Sequence, residues 1–222
     1  MTISVVIPAL DEAASIVRSI ESVRGPGVEV IVVDGGSRDQ TRRLARDAGA
    51  RVLVSPRGRA RQLWFGCQKS SGSTLLLLHA DTELESGWDE AVREALSDPV
   101  CAGGAFAFRI ATRGTRERLI ERGVALRVAL FKLPYGDQAL FVRRSVLEAM
   151  GGIPIVPMME DLDLVRAMKR AGRLQMLTLA ATTSSRRYAR NGTLRTVLHH
   201  QLALLGWWLN WDRSRLAKRL GR

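Results

Sequence analysis

The feature that most constrains the fold of this chain is a series of short apolar runs, each rich in branched aliphatic residues. These runs lie at residues 3–7, 28–33, 51–54 and 74–78. Continuous apolar runs of this length are typical of strands buried on both faces, as in a parallel sheet. The amphipathic stretches between and after them predict helices at residues 12–24, 38–48, 58–70 and 87–97. Strands that alternate with helices predict an α/β fold with a mostly parallel, Rossmann-like central sheet in the first half of the chain.

The second half of the chain is less regular. Its patterns predict strands at 102–110 and 139–142, a basic helix at 115–132, a helix at 160–171 and an edge strand at 174–179. In the helix at 160–171, Leu162, Val165 and Met168 lie on one face at helical spacing, and Gly172 suits its C-terminal end.

Length and composition predict a single domain over residues 1–222. Of the 222 residues, 46% are hydrophobic, which suffices for one sizeable core. No internal repeat, linker or low-complexity tract interrupts the apolar pattern.

The first residues resemble a core strand rather than a secretion signal, so we expect a cytoplasmic protein. Cys67 and Cys101 fit neither a disulfide framework nor a zinc site, and we expect both to be buried free thiols.

The formal net charge of +12 is concentrated at the C-terminal end. Residues 186–222 contain nine Lys or Arg and one acid, Asp212, so the first 185 residues carry only +4. This concentration favours an anionic partner, such as phospholipid headgroups, a phosphorylated acceptor or nucleic acid. A basic solvated surface is the alternative.

The same segment has the pattern of an amphipathic helix with a basic end. Its apolar positions recur every three or four residues, at Leu194, Val197, Leu198, Leu202, Leu205, Trp208 and Leu209. The cations that follow are Arg213, Arg215, Lys218, Arg219 and Arg222. A membrane span needs about 20 apolar residues, and this segment is too short and polar for one. Two roles stay open: a helix that covers the core or a second subunit, and a helix that lies on an anionic membrane surface.

Acidic residues follow three of the four predicted strands in the first half. Glu12 follows the first strand, Asp34 the second, and Asp81 and Glu83 the fourth. Ligands of open α/β sheets bind beyond the carboxyl ends of the strands. The chain has no glycine-rich phosphate loop, and carboxylates accept a diphosphate only with a divalent cation between them. The pattern therefore suggests a Mn²⁺ or Mg²⁺ site near Asp81 and Glu83.

Each of these acids also has an ordinary structural interpretation. Residues 82–85 fit a capping box at the start of a helix. Asp34 could begin a turn before Gly35 and Gly36, or hold a ribose hydroxyl. None of the acids identifies a function by itself.

Taken in order, three segments resemble glycosyltransferase family 2, whose members have the GT-A fold. They are residues 6–12 (VIPALDE), 32–41 (VVDGGSRDQT) and 78–83 (LHADTE). The resemblance continues through 58–62 (GRARQ), 135–138 (YGDQ) and 159–161 (MED), and it covers roughly residues 1–190. It looks closest to small bacterial transferases of this family. It implies a donor half at residues 1–110, an acceptor half at 111–190 and a basic helical tail at 191–222.

The resemblance also implies roles for individual residues. Those near the donor are Pro8, Leu10 and Glu12 at the base or ribose, Asp34 at the nucleobase, Arg59 or Arg61 at the phosphates, and Asp81 at the metal. Glu83 stands where the family usually has the last aspartate of its D-x-D motif. Trp64 stands where the family has an asparagine.

The pair Glu160-Asp161 matches the acidic pair that the family places near the acceptor. Asp161 would then be the general base of an inverting displacement, because an acceptor hydroxyl needs a carboxylate to remove its proton. The alternative is an acidic first helical turn that complements the helix dipole. Asp137 and Gln138 would line the sugar or acceptor pocket, with a polar turn as the alternative. We expect Asp163, two positions after Asp161, to pair with Arg166 or another surface residue.

These observations predict a metal-assisted, inverting glycosyltransferase. Its donor would be a UDP or GDP sugar and its acceptor a hydroxyl compound, with a lipid-linked acceptor, an anionic membrane surface and a homodimer left open. A sugar-1-phosphate nucleotidyltransferase is an alternative, but it should open with a basic glycine-rich loop where this chain has the acidic segment 8–12. A nucleotide-sugar-binding protein without turnover is the other alternative. No recognised motif accompanies the basic tail, so we expect no nucleic-acid partner.

Overall fold

The computed structural model describes residues 1–112, 114–186 and 193–220. Its strands are β1 (Ile3–Ala9), β2 (Val28–Asp34), β3 (Arg51–Val54), β4 (Thr74–Leu77), β5 (Thr82–Leu84), β6 (Cys101–Ile110), β7 (Leu140–Arg143) and β8 (Arg173–Thr183). Its first helices are α1 (Ile16–Glu21), α2 (Thr41–Asp47), α3 (Arg59–Lys69), α4 (Trp88–Ala95) and α5 (Thr115–Phe131). A short 3-10 helix (Gly136–Gln138) precedes α6 (Arg144–Ala149), α7 (Glu160–Ala171), α8 (Thr193–Trp208) and α9 (Arg213–Arg219).

The described strands form one mixed sheet in the order β3-β2-β1-β4-β7-β6-β8-β5. β1 pairs in parallel with β2 and β4, and β2 pairs in parallel with β3. β7 runs antiparallel between β4 and β6, and β5 runs antiparallel to β8. The predicted α/β class with a mostly parallel sheet is confirmed.

The core lies on both faces of this sheet, as the continuous apolar runs predict. In β1, Ile3, Val5 and Ile7 pack with α1, α2 and α4 on one face. Val6 points to the other face, where it packs with α3, α6 and α7. Both cysteines are buried and free, as expected, and burial raises the pKa of the Cys67 thiol to about 12.

A third apolar cluster joins the C-terminal helices to the domain. Met159 and Leu162, at the start of α7, pack against Ala203 of α8 and against Leu216 and Ala217 of α9. Within the described residues the tail therefore covers part of the core. Arg222 and the side chains of Leu194 and Val197 lie outside the described part of the chain, as do residues 187–190 of the predicted acceptor half. No helix among the described residues is long and apolar enough to cross a bilayer.

Two local predictions are wrong. Residues 82–84 form strand β5 rather than the first turn of a helix, because they pair with Ala181–Thr183 at the end of β8. Over the predicted residues 174–179, β8 pairs with β6 alone and is an edge strand, as expected, and β5 covers only its last residues. α1 begins at Ile16 instead of residue 12, and residues 13–15 before it form a turn. The N–H groups of Glu12 and Ala13 donate to the side chains of Thr41 and Asp39, which joins this turn to the start of α2.

Candidate active site

The loops that follow β1 and β2 are joined by hydrogen bonds at the carboxyl edge of the sheet. The N–H of Asp11 donates to Ser37 Oγ at 3.0 Å, and the N–H of Arg38 donates to Asp11 Oδ1 at 2.8 Å. Gln62 of α3 is buried and donates to the carbonyl oxygens of Ala9 (3.0 Å) and Val33 (2.8 Å). These contacts fix the ends of both strands relative to each other.

Asp34 ends β2, and its side chain is fully buried within this pair of loops. Its carboxylate accepts hydrogen bonds from the N–H groups of Gly36 (2.9 Å) and Ser37 (3.0 Å), and Arg42 Nε lies 3.7 Å away. The structural alternative for Asp34, a turn before the glycines, is therefore present. Pro8 lies within β1 and Leu10 directly after it, and both are half-buried at the same edge.

A turn after β4 carries His79 and Asp81 to the same edge of the sheet. The Ser19 hydroxyl of α1 donates to the carbonyl oxygen of Ala80 at 2.9 Å. The N–H of Ser184 donates to the carbonyl oxygen of Asp81 at 3.0 Å. The turn is thus held from both sides, by α1 and by the end of β8. His79 and Asp81 each contact a different arginine.

Arg186 lies among the acids at the carboxyl edge of the sheet. One of its guanidinium nitrogens, Nη2, contacts Glu12 Oε2, lies 3.1 Å from Ser15 Oγ and lies 3.8 Å from Asp81 Oδ2. Hydrogen bonding to Glu12 is the main cause that raises the pKa of Arg186 above its ordinary value. A positive charge therefore already lies between two of the carboxylates that follow the strands.

Arg59, at the start of α3, contacts the acidic pair of α7. Its guanidinium group binds Glu160 Oε1, lies 3.2 Å from Asp161 Oδ2 and donates to His79 Nε2 at 2.8 Å. The Arg59 side chain is 35% exposed, whereas that of Glu160 is 4% exposed and that of Asp161 is 12% exposed. Arginine can only donate, so the His79 Nε2 atom accepts and its ring proton lies on Nδ1.

The charges in this cluster keep Asp161 ionised. Burial acts to raise the pKa of Asp161, but the Arg59 charge and the N–H groups of Gly136 (2.8 Å) and Leu162 (3.0 Å) outweigh it and lower that pKa. Burial likewise acts to lower the pKa of Arg59, and the charges of Glu160 and Asp161 raise it. The result is a partly buried carboxylate that carries its charge at neutral pH.

Gly136 lies against the centre of the cluster. A Cβ atom at this position would lie 3.1 Å from Asp161 Oδ2 and 3.3 Å from both Arg59 Nη1 and His79 Nε2. Any side chain here would press on all three groups. Two neighbouring positions, Ala139 and Met159, have positive φ angles, a conformation unusual outside glycine that often occurs at functional sites.

The remaining predicted site residues lie at the margins of the site. Glu83 is on β5, and Arg18 Nε donates to its carboxylate at 3.0 Å. Arg61 lies in the first turn of α3 and is exposed. Gln138 is buried and donates to the carbonyl oxygen of Phe106 at 3.0 Å, as a residue of a structural turn would. Asp137 faces a groove beside α5.

Sequence reasoning missed three residues of the site. Arg186 was counted only as part of a basic segment, and nothing in its neighbours points to Glu12. Gln62 and Gly136 lie inside segments that carry the family resemblance, but their roles depend on contacts with distant strands. Trp64, which replaces the family's asparagine, packs against the backbone of Gly152. A Cβ atom at Gly152 would lie only 2.6 Å from the Trp64 ring.

Comparison with known proteins decides the family. A profile described as Glycosyl transferase family 2 matches residues 4–151, well over half of the chain. The chain belongs to glycosyl transferase family 2. The match contains Glu12, Asp34, Arg59 and Asp81, whereas the acidic pair of α7 and Arg186 lie beyond it.

Curated relatives in the family match a part of the chain. An uncharacterized glycosyltransferase of Rickettsia felis is 38% identical over 100 residues, which are 44% of this chain and 32% of the relative. Glucosyl-3-phosphoglycerate synthase of Mycobacterium tuberculosis is 37% identical over 94 residues, 36% of this chain and 29% of the relative. The chain thus covers about a third of the length of these relatives.

Solved structures show that the chain has the GT-A fold of this family. The same mycobacterial synthase, in complex with Mg²⁺ and UDP, has a TM-score of 0.61 at 24% identity and is matched over 81% of this chain and 69% of its own. Another of its structures holds Mn²⁺ and UDP-glucose. TarS of S. aureus has a TM-score of 0.65 at 16% identity, over 83% of this chain and 37% of its own.

Proposed function

We propose that this chain transfers a sugar from UDP to an acceptor hydroxyl with inversion, and that Asp161 is the general base. The observation that carries the proposal is the Arg59–Glu160–Asp161 cluster. It holds an ionised carboxylate next to the turn that bears Asp81. Family membership supplies the reaction class.

The chemistry of the cluster fits a base. A general base must be ionised before the reaction and must lie within reach of the acceptor hydroxyl. Asp161 meets the first condition because Arg59 and two N–H groups lower its pKa, and its 12% exposure leaves it reachable. As the new bond to the sugar forms, the hydroxyl proton passes to Asp161 and the nucleoside diphosphate leaves with the electron pair of the broken bond.

The donor is proposed to lie over the carboxyl ends of β1 and β2. Pro8, Leu10 and Glu12 would approach the base and ribose, and Asp34 would order the loop that faces the base. The synthase of similar fold supports UDP rather than GDP, because its structures contain UDP and UDP-glucose. Arg59 and Arg61 begin α3 beside this edge, where a cation can meet a phosphate.

Support for a divalent metal comes from the carboxylates at this edge. Glu12 and Asp81 both face the Arg186 guanidinium group, although the described residues contain no group of three or more His, Cys, Asp or Glu side chains that could hold an ion without further ligands. Magnesium in nucleotide enzymes is commonly held by one or two carboxylates together with substrate phosphates, so Asp81 would be the main protein ligand. The metal would stabilise the negative charge of the leaving diphosphate. Glu83 would have to leave Arg18 before it could contribute.

The metal proposal predicts that UDP binding requires Mn²⁺ or Mg²⁺. Isothermal calorimetry with UDP, first with Mn²⁺ and then with chelator, measures this directly. We expect Asp81→Asn to lose the metal-dependent part of the affinity, whereas Glu83→Gln should retain most of it because that carboxylate is paired with Arg18. Equal UDP affinity with Mn²⁺ and with chelator would contradict the proposal.

The base proposal predicts that Asp161→Asn lowers the transfer rate by about 10²–10⁴-fold. UDP affinity should change little, because the amide keeps the shape of the carboxylate. Asp47→Asn, in an exposed ion pair with Arg43, is the matched control. A variant that still transfers sugar at the wild-type rate would sink the assignment, and one that no longer binds UDP would reassign Asp161 to structure.

A further inference from the structure

Helix α5 exposes an apolar surface that the domain does not cover. The structure describes all of its residues, and only Val128 is buried. Leu119, Leu126, Leu130 and Phe131 are each at least 60% exposed. Contiguous apolar patches of this kind on soluble proteins usually mark a site of interaction.

This surface forms one wall of a groove. The opposite wall is α8, which contributes Leu205 and Trp208, and the end of α7 forms part of the lining. Trp208 is 72% exposed. The groove has a volume of about 1540 Å³, larger than the 300–1,000 Å³ of a typical small-molecule pocket, and is therefore roomy enough for an extended chain.

Positive charge lines the apolar groove. The cations that line it are Arg116, Arg127, Arg166, Lys169 and Arg170, and Asp137 is the single acid among the described lining residues. Apolar walls with cations among them complement a molecule that has an apolar chain and an anionic group.

The inner end of the groove adjoins the proposed base. Tyr135 and Asp137 line the groove, and between them Gly136 donates its N–H to Asp161 Oδ2 at 2.8 Å. Arg127 lies over the Tyr135 ring at 3.5 Å from its centroid, so a cation lies at this end. Asp161 itself lines a separate, smaller pocket together with Arg59, His79 and Gly136, so the segment 135–137 is what connects the groove to the candidate catalytic carboxylate.

We propose that this groove binds the acceptor, and that the acceptor is an amphiphile with a single apolar chain, an anionic group and a hydroxyl. The proposal rests on the proposed transferase function and names its acceptor class. The hydroxyl oxygen bonds to the sugar carbon as the bond from that carbon to the diphosphate breaks. The proton goes to Asp161 and the diphosphate leaves with the electron pair.

Dodecyl phosphate, used below the concentration at which it forms micelles, is a suitable probe of the groove. We expect saturable binding with one molecule per chain, followed by a change in tryptophan fluorescence because Trp207 and Trp208 line the groove. Dodecyl trimethylammonium and inorganic phosphate should each bind at least tenfold more weakly, since one lacks the anion and the other the chain. Equal binding of the cationic detergent would overturn the charge argument.

Variants separate the groove from the rest of the surface. Leu126→Glu and Arg170→Glu should each weaken dodecyl phosphate binding at least fivefold. Val100→Glu, which changes a residue that is 64% exposed and does not line the groove, should leave it unchanged. UDP affinity, measured on the same samples by calorimetry, should be equal in all three variants and shows that each is folded.

The outcomes distinguish this proposal from others. Wild-type protein that binds UDP but not dodecyl phosphate would overturn the amphiphile site and leave the donor site intact. Protein that binds dodecyl phosphate but never UDP would overturn the proposed function instead. Binding only to anionic vesicles, or concentration-dependent dimers that Leu126→Glu dissociates, would assign the groove to a bilayer surface or to a second copy and so refute the proposal.

Discussion

Arg186 contacts Glu12, which is proposed to approach the base and ribose, and Asp81, the proposed metal ligand next to the diphosphate. Without donor, its guanidinium group offsets their mutual repulsion. In the proposed complex, a bound divalent metal would take over that role and the guanidinium group would become available to the diphosphate. The same side chain is therefore expected to oppose binding of the bare metal and to favour binding of the nucleotide.

Replacement of Arg186 by glutamine should separate these two effects. Mn²⁺ alone should bind about 2–5-fold more tightly because a competing cation is gone, a size typical of partly exposed ion pairs. UDP in the presence of Mn²⁺ should bind more weakly because the phosphates lose a cation. Calorimetry measures both, with Arg43→Gln as the surface control. Weaker binding of Mn²⁺ alone would contradict this role.

At the residue scale, the sequence located acids better than it located their partners. Glu12, Asp34 and Asp81 all lie at the carboxyl edge, because strand ends in a parallel sheet meet there. Arg186 could not be found in this way, since its position depends on how β8 pairs with β5. Charge and spacing show which side chains are present, but not which distant group neutralises them.

At the scale of elements, Asp163 connects helix α7 to the tail. Its carboxylate accepts from Trp207 Nε1 at 2.8 Å and from Arg213 Nη2 at 3.0 Å. Its ion-pair partner is Arg213 rather than the nearby Arg166 considered from the sequence. The helix that begins with Glu160 and Asp161 is thus fixed to the C-terminal helices by charge as well as by apolar packing.

Asp163→Asn should loosen the tail, because Arg213 then loses its partner in a setting where it is only 24% exposed. We expect trypsin to cleave at Arg213 and Arg215 several-fold faster than in wild-type protein. Dodecyl phosphate binding should weaken as well, since α8 forms one wall of the groove. Asp47→Asn serves again as the control, and an unchanged cleavage rate would show that apolar packing alone holds the tail.

The sequence predicted elements well where hydrophobic periodicity determines them. Strands β1 to β4 and helices α3 and α7 lie within two residues of their predicted bounds. All but β3 bury a continuous run or stripe, and in β3 the half-buried Val52 and Leu53 pack against the core. β5 was missed because its three residues become a strand only by pairing with β8. α6 was also missed, and it is a short helix that buries only Leu147 among its described residues.

At the scale of the whole molecule, hydrogen-bonded carboxylates make stability depend on pH. The pKa values of Glu29, Asp39 and Asp161 are lowered in the folded state, because hydrogen bonds and nearby arginines outweigh the opposing effect of burial. Each therefore stabilises the fold above its unfolded pKa of about 4, and that contribution is lost as pH falls through the lower folded value. Acid also increases the net positive charge of a chain that already carries +12.

Urea unfolding should show this dependence. We expect the midpoint at pH 3.5 to lie about 1 M below that at pH 7. Asp161→Asn should be less stable than wild type at pH 7, and the gap should narrow on acidification because the wild-type carboxylate becomes protonated too. Asp47→Asn should follow the wild-type curve at both pH values, and a constant gap for Asp161→Asn would show that its charge does not stabilise the fold.

The short pairing of Thr82–Leu84 with Ala181–Thr183 has a further consequence for how the family can vary. Together with the bond from Ser184 to the Asp81 carbonyl, it sets the number of residues between the sheet and Arg186. One residue inserted into either of these two paired segments would turn a different side chain toward Glu12. Insertions and deletions in related chains should therefore fall outside these two segments, even where the surrounding loops differ freely in length.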